Sequence, residues 1–152
     1  MATASHDTHG DVRRLVLDAA IAIIDATGAE SLSMREVARQ AGVSHQAPYH
    51  YFKDRSGIFA AISEEGFNKL ASAFRDVRDE ENVSGELAAK RGFQAYLGFA
   101  RENTGHFRVM FRTDICGIGT HESTTVAADS AFEELLNMVA RTIGSSINPK
   151  DS

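Results

Sequence analysis

The sequence predicts an all-α fold: a three-helix helix-turn-helix unit joined by a long helix to a second helical bundle. Three observations predict it. Apolar residues recur at helical spacing through most of the chain. Only two prolines interrupt 152 residues. Ser33 to Phe52 reads as two short helices around a glycine turn. At 43% hydrophobic, the chain can bury one proper core or two small ones.

The elements follow in order. The opening MATASHDTHGD has no apolar run of the signal-peptide kind and reads as a short disordered arm. His6 and His9 there are incidental. Val12, Leu15, Val16, Ala19, Ala20, Ile23 and Ile24 then hold the helical period, and Thr27-Gly28 ends that helix. Ser33 and Glu36 have capping-box spacing, the hydroxyl taking one orphan N–H and the carboxylate another. Met34, Val37, Ala38 and Ala41 make one face of the next helix apolar. Gly42 can adopt positive φ and end it.

Val43 plugs the turn into the core, Ser44 is a good N-cap for the second helix, and Pro48 falls near its first turn, where a missing N–H costs least. Val43, Pro48 and Phe52 point inward. That leaves His45, Gln46, Ala47, Tyr49, His50 and Tyr51 on the outer and N-terminal surfaces. Gln pairs bidentately with adenine and Ala touches a thymine methyl. Tyr and His suit phosphate contacts, which position rather than specify. A solvated helical hairpin would explain the same residues without DNA, but the flanking helices favour the recognition unit. Asp54 can cap a fourth helix. Lys53 and Arg55 beside that N-terminus oppose the helix dipole, a placement that makes more sense if a phosphate docks there.

Residues 10–70 resemble the N-terminal DNA-binding domain of the TetR family of transcriptional regulators. The resemblance is carried by the first helix ending in Thr27-Gly28 and by LSMREVARQAGVSHQAPYHYFKDRSGIF, Leu32 to Phe59. It implies that Arg35 reaches DNA, that His45, Gln46 and Ala47 face base edges, and that Tyr49 and His50 contact backbone or bases with Tyr51 beside them; Ser44 belongs to the same DNA-binding set. Lys53 and Arg55 would touch phosphate. The family more often has Lys where Arg55 stands and Leu or Ile where Pro48 stands, a change expected to shift the tilt of the reading helix.

Residues 71–152 then form the helical regulatory part, for ligand binding and dimerisation. Asp54 to about Glu81 suggests one long helix, with Gly66 as the place where it bends. Asn82 to Gly85 breaks it. Glu86 to Glu102 carries Leu87, Phe93, Tyr96, Leu97 and Ala100 as its apolar set. Thr104-Gly105 interrupts, His106 to Thr113 is a short helix, residues 116–123 form a loop, and Thr124 to Ile143 closes with Ala127, Ala131, Leu135, Met138 and Val139 in register. AYLGFARENTGHFRVMF, Ala95 to Phe111, is similar to one common variety of the family's ligand-binding domain. Candidate ligand residues are Phe67, Phe74, Phe93, Tyr96, Phe99, His106, Phe107, Met110 and Phe111. Core packing is the favoured reading for any single one of them; Tyr96 and His106 are the candidates for polar contacts, and both could equally be core groups.

Other chemistry is thin. His45 and His50 diverge too far around a helix to share a metal. Asp114, Cys116 and His121 lack a second ligand pair at zinc spacing. The GIGT loop has no Lys-Ser/Thr, and no Ser, His and acid set forms a triad. We therefore expect no cofactor, no metal and no enzyme. A single cysteine suits a reducing cytoplasm, and no apolar run is long enough to span a membrane.

Net charge is −5, which argues mildly against DNA. The cations must act locally, through Arg35, Arg39, Lys53 and Arg55, and their small number predicts that binding depends on pairing two subunits. Family members close with two further helices that form the dimer interface; this chain stops at INPKDS after the seventh, so a shortened C-terminal part is expected, with Ile143 and Ile147 uncovered. The leading expectation is a cytoplasmic homodimeric repressor on a near-palindromic double-stranded operator, released by a small-molecule inducer. A truncated module that pairs with a longer relative, and a small all-α enzyme, remain as rivals.

Overall fold

The computed structural model describes residues 8–80, 83 and 85–146. All the regular structure in them is helical: α1 Thr8–Thr27, a 3-10 turn Ala29–Ser31, α2 Met34–Ala41, α3 Ala47–Phe52, α4 Arg55–Asp79, α5 Gly85–Glu102, α6 Thr104–Met110 and α7 Glu122–Ser146. Helix α1 begins at Thr8, so the expected arm is already helical over its last residues; His6 and Ile147 lie outside the described residues.

Two apolar cores organise the chain. In the first, Val16, Ala20 and Ile24 of α1 meet Val37 of α2, Phe52 of α3 and Ile58 and Ile62 of α4. In the second, Phe67, Leu70, Phe74 and Val77 of α4 meet Phe99 of α5, Met110 of α6 and Ala127, Ala131 and Met138 of α7. Helix α4 is thus one continuous element whose first half serves one core and whose second half serves the other. The short α6 is shared in the same way: Val109 packs in the first core and Met110 in the second.

Glycines mark the close approaches. Gly66 does not interrupt α4. A Cβ there would stand 2.9 Å from Met110 Sδ, so glycine lets α6 lie against α4. Gly105 does not break the chain either: it is buried inside α6, where a Cβ would stand 2.9 Å from Ile21. The break falls one step earlier, at Asn103, whose side chain donates to the Phe99 carbonyl at 3.1 Å.

The expected apolar face of α5 is corrected. Ala88, Gly92 and Phe99 are buried, whereas Leu87, Phe93 and Leu97 are exposed. Small residues face inward because α7 passes close, its Met138 Sδ occupying the space a Gly92 Cβ would need. On α7, Ala127, Ala131 and Met138 are buried as expected, but Leu135 and Val139 are exposed, together with Phe132, Leu136 and Ile143.

Candidate nucleic-acid interface and ligand cavity

The helix-turn-helix is built by local chemistry. The Ser33 hydroxyl accepts the Glu36 N–H at 3.2 Å and caps α2. The reciprocal half of the capping box is not made, because Arg39 takes the Glu36 carboxylate at 2.5 and 2.9 Å. Arg39, one of the expected cluster of cations beside the motif, is thereby paired locally while its side chain stays exposed. At the other end Gly42 has φ 68°; its N–H donates to the Arg39 carbonyl and the Val43 N–H to that of Ala38. This is a Schellman turn, with Val43 packed on the first core as its apolar contact.

Ser44 does not cap the next helix. Its carbonyl accepts the Ala47 N–H at 3.1 Å, a turn intervenes, and α3 starts at Ala47 with no side-chain cap. Pro48, in the first turn, and Phe52 are buried and lock α3 to the head. His45, Gln46, Tyr49 and His50 are exposed, with Ala47 half-buried among them. Tyr51 turns inward: it packs against the first core, its ring edge-on to His50 at 4.9 Å. Among the described residues, Gln46 and Tyr49 make no side-chain hydrogen bond, and Arg35 and Lys53 make no ion pair.

The α3–α4 turn is tight. Lys53 has φ 68°, the only positive φ outside glycine among the described residues. The Asp54 carboxylate caps α4 by accepting the Gly57 N–H at 2.9 Å. A Cβ on Gly57 would sit 1.9 Å from the Phe52 carbonyl oxygen, so this turn needs glycine. Arg55 has a structural partner: its guanidinium lies over the Phe59 ring and donates to the Ala29 carbonyl at 2.7 Å. Its position beside the helix N-terminus therefore has an explanation without phosphate. Arg13 lies outside the motif, yet its guanidinium sits over Phe52, and it borders a polar groove with His50, Lys53, Ser56 and His121.

The head is tied to α6 by a second set of contacts that the sequence does not announce. Arg108 donates to the Ile24 and Asp25 carbonyls at 3.0 and 2.7 Å, covering the C-terminal end of α1. Thr104 bonds the Asp25 carboxylate, and Arg112 pairs with Glu30 and with Asp114. Glu65 of α4 receives Arg14 from α1 at 2.5 Å, Lys69 at 3.2 Å and His106 Nε2 from α6 at 2.8 Å. Burial pushes the Glu65 carboxyl up, but hydrogen bonds from Arg14, His106 and Lys69 outweigh it and hold it at about 2. Burial holds the His106 imidazole below its ordinary value against the pull of Glu65. His106 Nδ1 has no partner, so a proton there would be buried without an acceptor.

A cavity of about 470 Å³ opens between α4, α5, α6 and α7. Five of the candidate ligand residues line it: Phe67, Phe74, Phe93, Tyr96 and Phe111. The structure puts the other four elsewhere. Phe99 and Met110 are buried in the second core, Phe107 packs edge-on against Tyr96 and Phe111, and His106 is held by Glu65. The α7 wall, with Ala128, Ala131, Phe132, Leu135 and Val139, is not among the sequence candidates. Its signal is visible afterwards: these residues continue the 3.6-residue stripe of the last helix.

Residues 16–62 match the family described as "Bacterial regulatory proteins, tetR family". The chain is 30% identical over 86 residues to the HTH-type transcriptional regulator BetI of Escherichia coli O127:H6, covering 57% of this chain and 43% of that protein. It is 30% identical over 96 residues to the nucleoid occlusion factor SlmA of Glaesserella parasuis, covering 62% and 47%. The chain thus spans less than half the length of these curated relatives. Among solved structures, a protein with unknown function from Rhodococcus sp. RHA1 superposes with TM-score 0.75 at 26% identity, over 99% of this chain and 76% of that one. The TetR family transcriptional regulator PfmR of Thermus thermophilus shares the fold, with TM-score 0.69 at 22% identity over 90% and 75%.

Proposed function

We propose that this chain, whose residues 16–62 match the tetR family of bacterial regulatory proteins, is a member of that family and a sequence-specific DNA-binding regulator of transcription, a repressor released by a small molecule. The observation that carries this reading is the outer surface around α3. Gln46, Tyr49 and His50 are exposed and held rigidly by the buried Pro48 and Phe52, with Lys53 at the end of the helix. Gln46, with Ala47, is the base reader, while Arg35, Tyr49, His50 and Lys53 contact phosphate. His45 and Ser44 border the same edge. Arg55 retains guanidinium donors beyond its bonds to Ala29 and Glu30, and with these it approaches the same backbone.

The domains divide as residues 10–70 for DNA and 71–152 for regulation, with α4 belonging to both. The cavity of the second core receives the inducer. A molecule seated against Phe111 and Phe67 acts on α6 and α4 together, and α6 is bonded to the C-terminal end of α1 through Arg108. That is coupling between two sites through packed elements. Two copies pair so that two α3 helices enter successive major grooves of a near-palindromic operator. The exposed apolar stripe of α7, including Phe132, Leu136 and Ile143, suits such an association.

The test is to recover genomic fragments retained by the purified chain and to measure the mass of the complex by light scattering. A shared palindromic sequence held by two copies supports the reading. A monomer with no preference over random DNA rejects it in favour of a module that acts only with a longer partner. No helix among the described residues is long and apolar enough to cross a membrane.

A further inference from the structure

The cavity lining is unusual in its charge. Among the described residues, no charged side chain lines it. Its floor is made by small residues, Ala89, Gly92, Ala128 and Ala131, and its walls by aromatic rings. Two acids on neighbouring faces are already paired. Glu134, the acid next along α7, is largely buried and held by Arg78 at 2.8 Å and Arg75 at 3.7 Å. Glu80 is held by Arg91 at 2.6 Å. Neither can serve a ligand without giving up its partner.

Two of the side chains that line the cavity carry a hydroxyl, Tyr96 and Thr142. The Thr142 hydroxyl is engaged by the carbonyls of Gly85 and Met138, both at 3.0 Å. The Tyr96 hydroxyl has no hydrogen-bond partner among the described residues. Its ring is fixed edge-on to Phe107 at 5.8 Å and tilted against Phe111 at 6.5 Å. One oriented hydroxyl in an otherwise apolar site is what fixes the direction of a bound molecule. An anionic ligand would find no counter-charge, and its lost hydration would go uncompensated.

We propose that this cavity takes an uncharged, ring-bearing apolar molecule held by one hydrogen bond to the Tyr96 hydroxyl. The proposal rests on the regulatory reading of the cavity and narrows it to a ligand class, excluding carboxylate and phosphate ligands. The aromatic walls stack or meet edge-on with the ring of the guest, and the small-residue floor sets the depth to which the ring sinks.

The test uses the full chain and the neutral fluorophore Nile red, displaced by naphthalene, a naphthol, a naphthoate and a naphthylmethylammonium. The naphthol and naphthalene should compete at least about tenfold better than either ion, the scale of an uncompensated charge. Tyr96→Phe should weaken the naphthol by about fivefold, the worth of one neutral hydrogen bond, and leave naphthalene unchanged. Ala128→Phe, which fills the cavity and keeps the outer face apolar, should abolish binding of all four. An ion that competes as well as the naphthol overturns the proposal, and so does Nile red binding that survives Ala128→Phe. The same ligands are then added to the protein on its selected DNA. Release by an ion alone overturns the ligand class and leaves the regulatory reading intact. A naphthol that binds through Tyr96 without changing DNA affinity supports the class and overturns the regulatory role of the cavity.

Discussion

The two cores of this chain are finished to different degrees. In the head, Val16, Ala20, Ile24, Val37, Ile58 and Ile62 are fully enclosed. In the bundle, a cavity of about 470 Å³ remains, Phe93 and Phe132 are 62% and 59% exposed, and α7 carries an uncovered apolar stripe. The head presents polar side chains on a rigid frame, which suits reading a fixed surface. The bundle keeps open space beside its side chains, which suits adapting to a guest. Close packing of the first kind tolerates little change; a partly filled core tolerates more.

Glycine substitutions test this contrast most sharply. Gly57→Ala sets a Cβ 1.9 Å from the backbone oxygen of Phe52, which cannot move without reopening the α3–α4 turn. It should cost about 3 kcal/mol or more and leave the head unfolded in thermal melts. Gly92→Ala makes an equally short contact, but with Met138 Sδ, the end of a flexible side chain beside free space. Its cost should be within about 1 kcal/mol, since alanine also favours the helix. Equal losses at the two sites would remove the distinction between the cores.

Truncations give the next largest effect. Ile24→Ala, at a fully buried site, should cost about 2–5 kcal/mol. Phe132→Ala should cost about 1 kcal/mol or less, because most of that ring already meets solvent. A large loss at Phe132, growing with protein concentration, would show that the stripe is covered by a second copy.

Acid should act at the seam between the cores. Glu65 is held at about 2, below its ordinary 4.5, and His106 lies below its ordinary 6.5. For both groups the unfolded chain binds more protons than the folded one in the window between the two values. Their stabilisation is therefore present above the ordinary value and is lost as pH falls, first through His106 and then, from 4.5 towards 2, through Glu65. Glu65→Gln should lower the Tm at neutral pH by about 4 °C, the shift expected for the loss of roughly 1 kcal/mol, and should flatten the acid limb. An unchanged acid limb would mean that the seam carries no such linkage.

Legibility in the sequence follows the same division. Helix spans, the Gly42 turn and the Asp54 cap of α4 are readable because they depend on residues within four of one another. What is not readable needs distant partners. Leu87, Phe93 and Leu97 have the right type and spacing for a core, but α7 lies against Gly92 instead. Gly105 has the look of a breaker and is a contact with Ile21. Arg55 and Arg39 look available for phosphate, and each has a partner within the head. The links of Arg108 and Arg112 to the head carry no sequence signal, since the Ile24 and Asp25 carbonyls and the Glu30 carboxylate lie some eighty residues away. At the cavity, the aromatic residues stand out in the sequence and the small residues of α7 do not, because alanine marks a site only when the space beside it is known.

The most direct test of the account is the affinity of the chain for its selected DNA, followed over a range of salt for the wild type, Gln46→Ala and Lys53→Ala. Gln46→Ala should lose about 1–3 kcal/mol at one base position and relax specificity there. Lys53→Ala should weaken binding to all sequences and reduce the salt slope by about one. Variants that bind as the wild type does, with unchanged sequence preference and salt slope, would contradict the assignment of the α3 surface as the reading head.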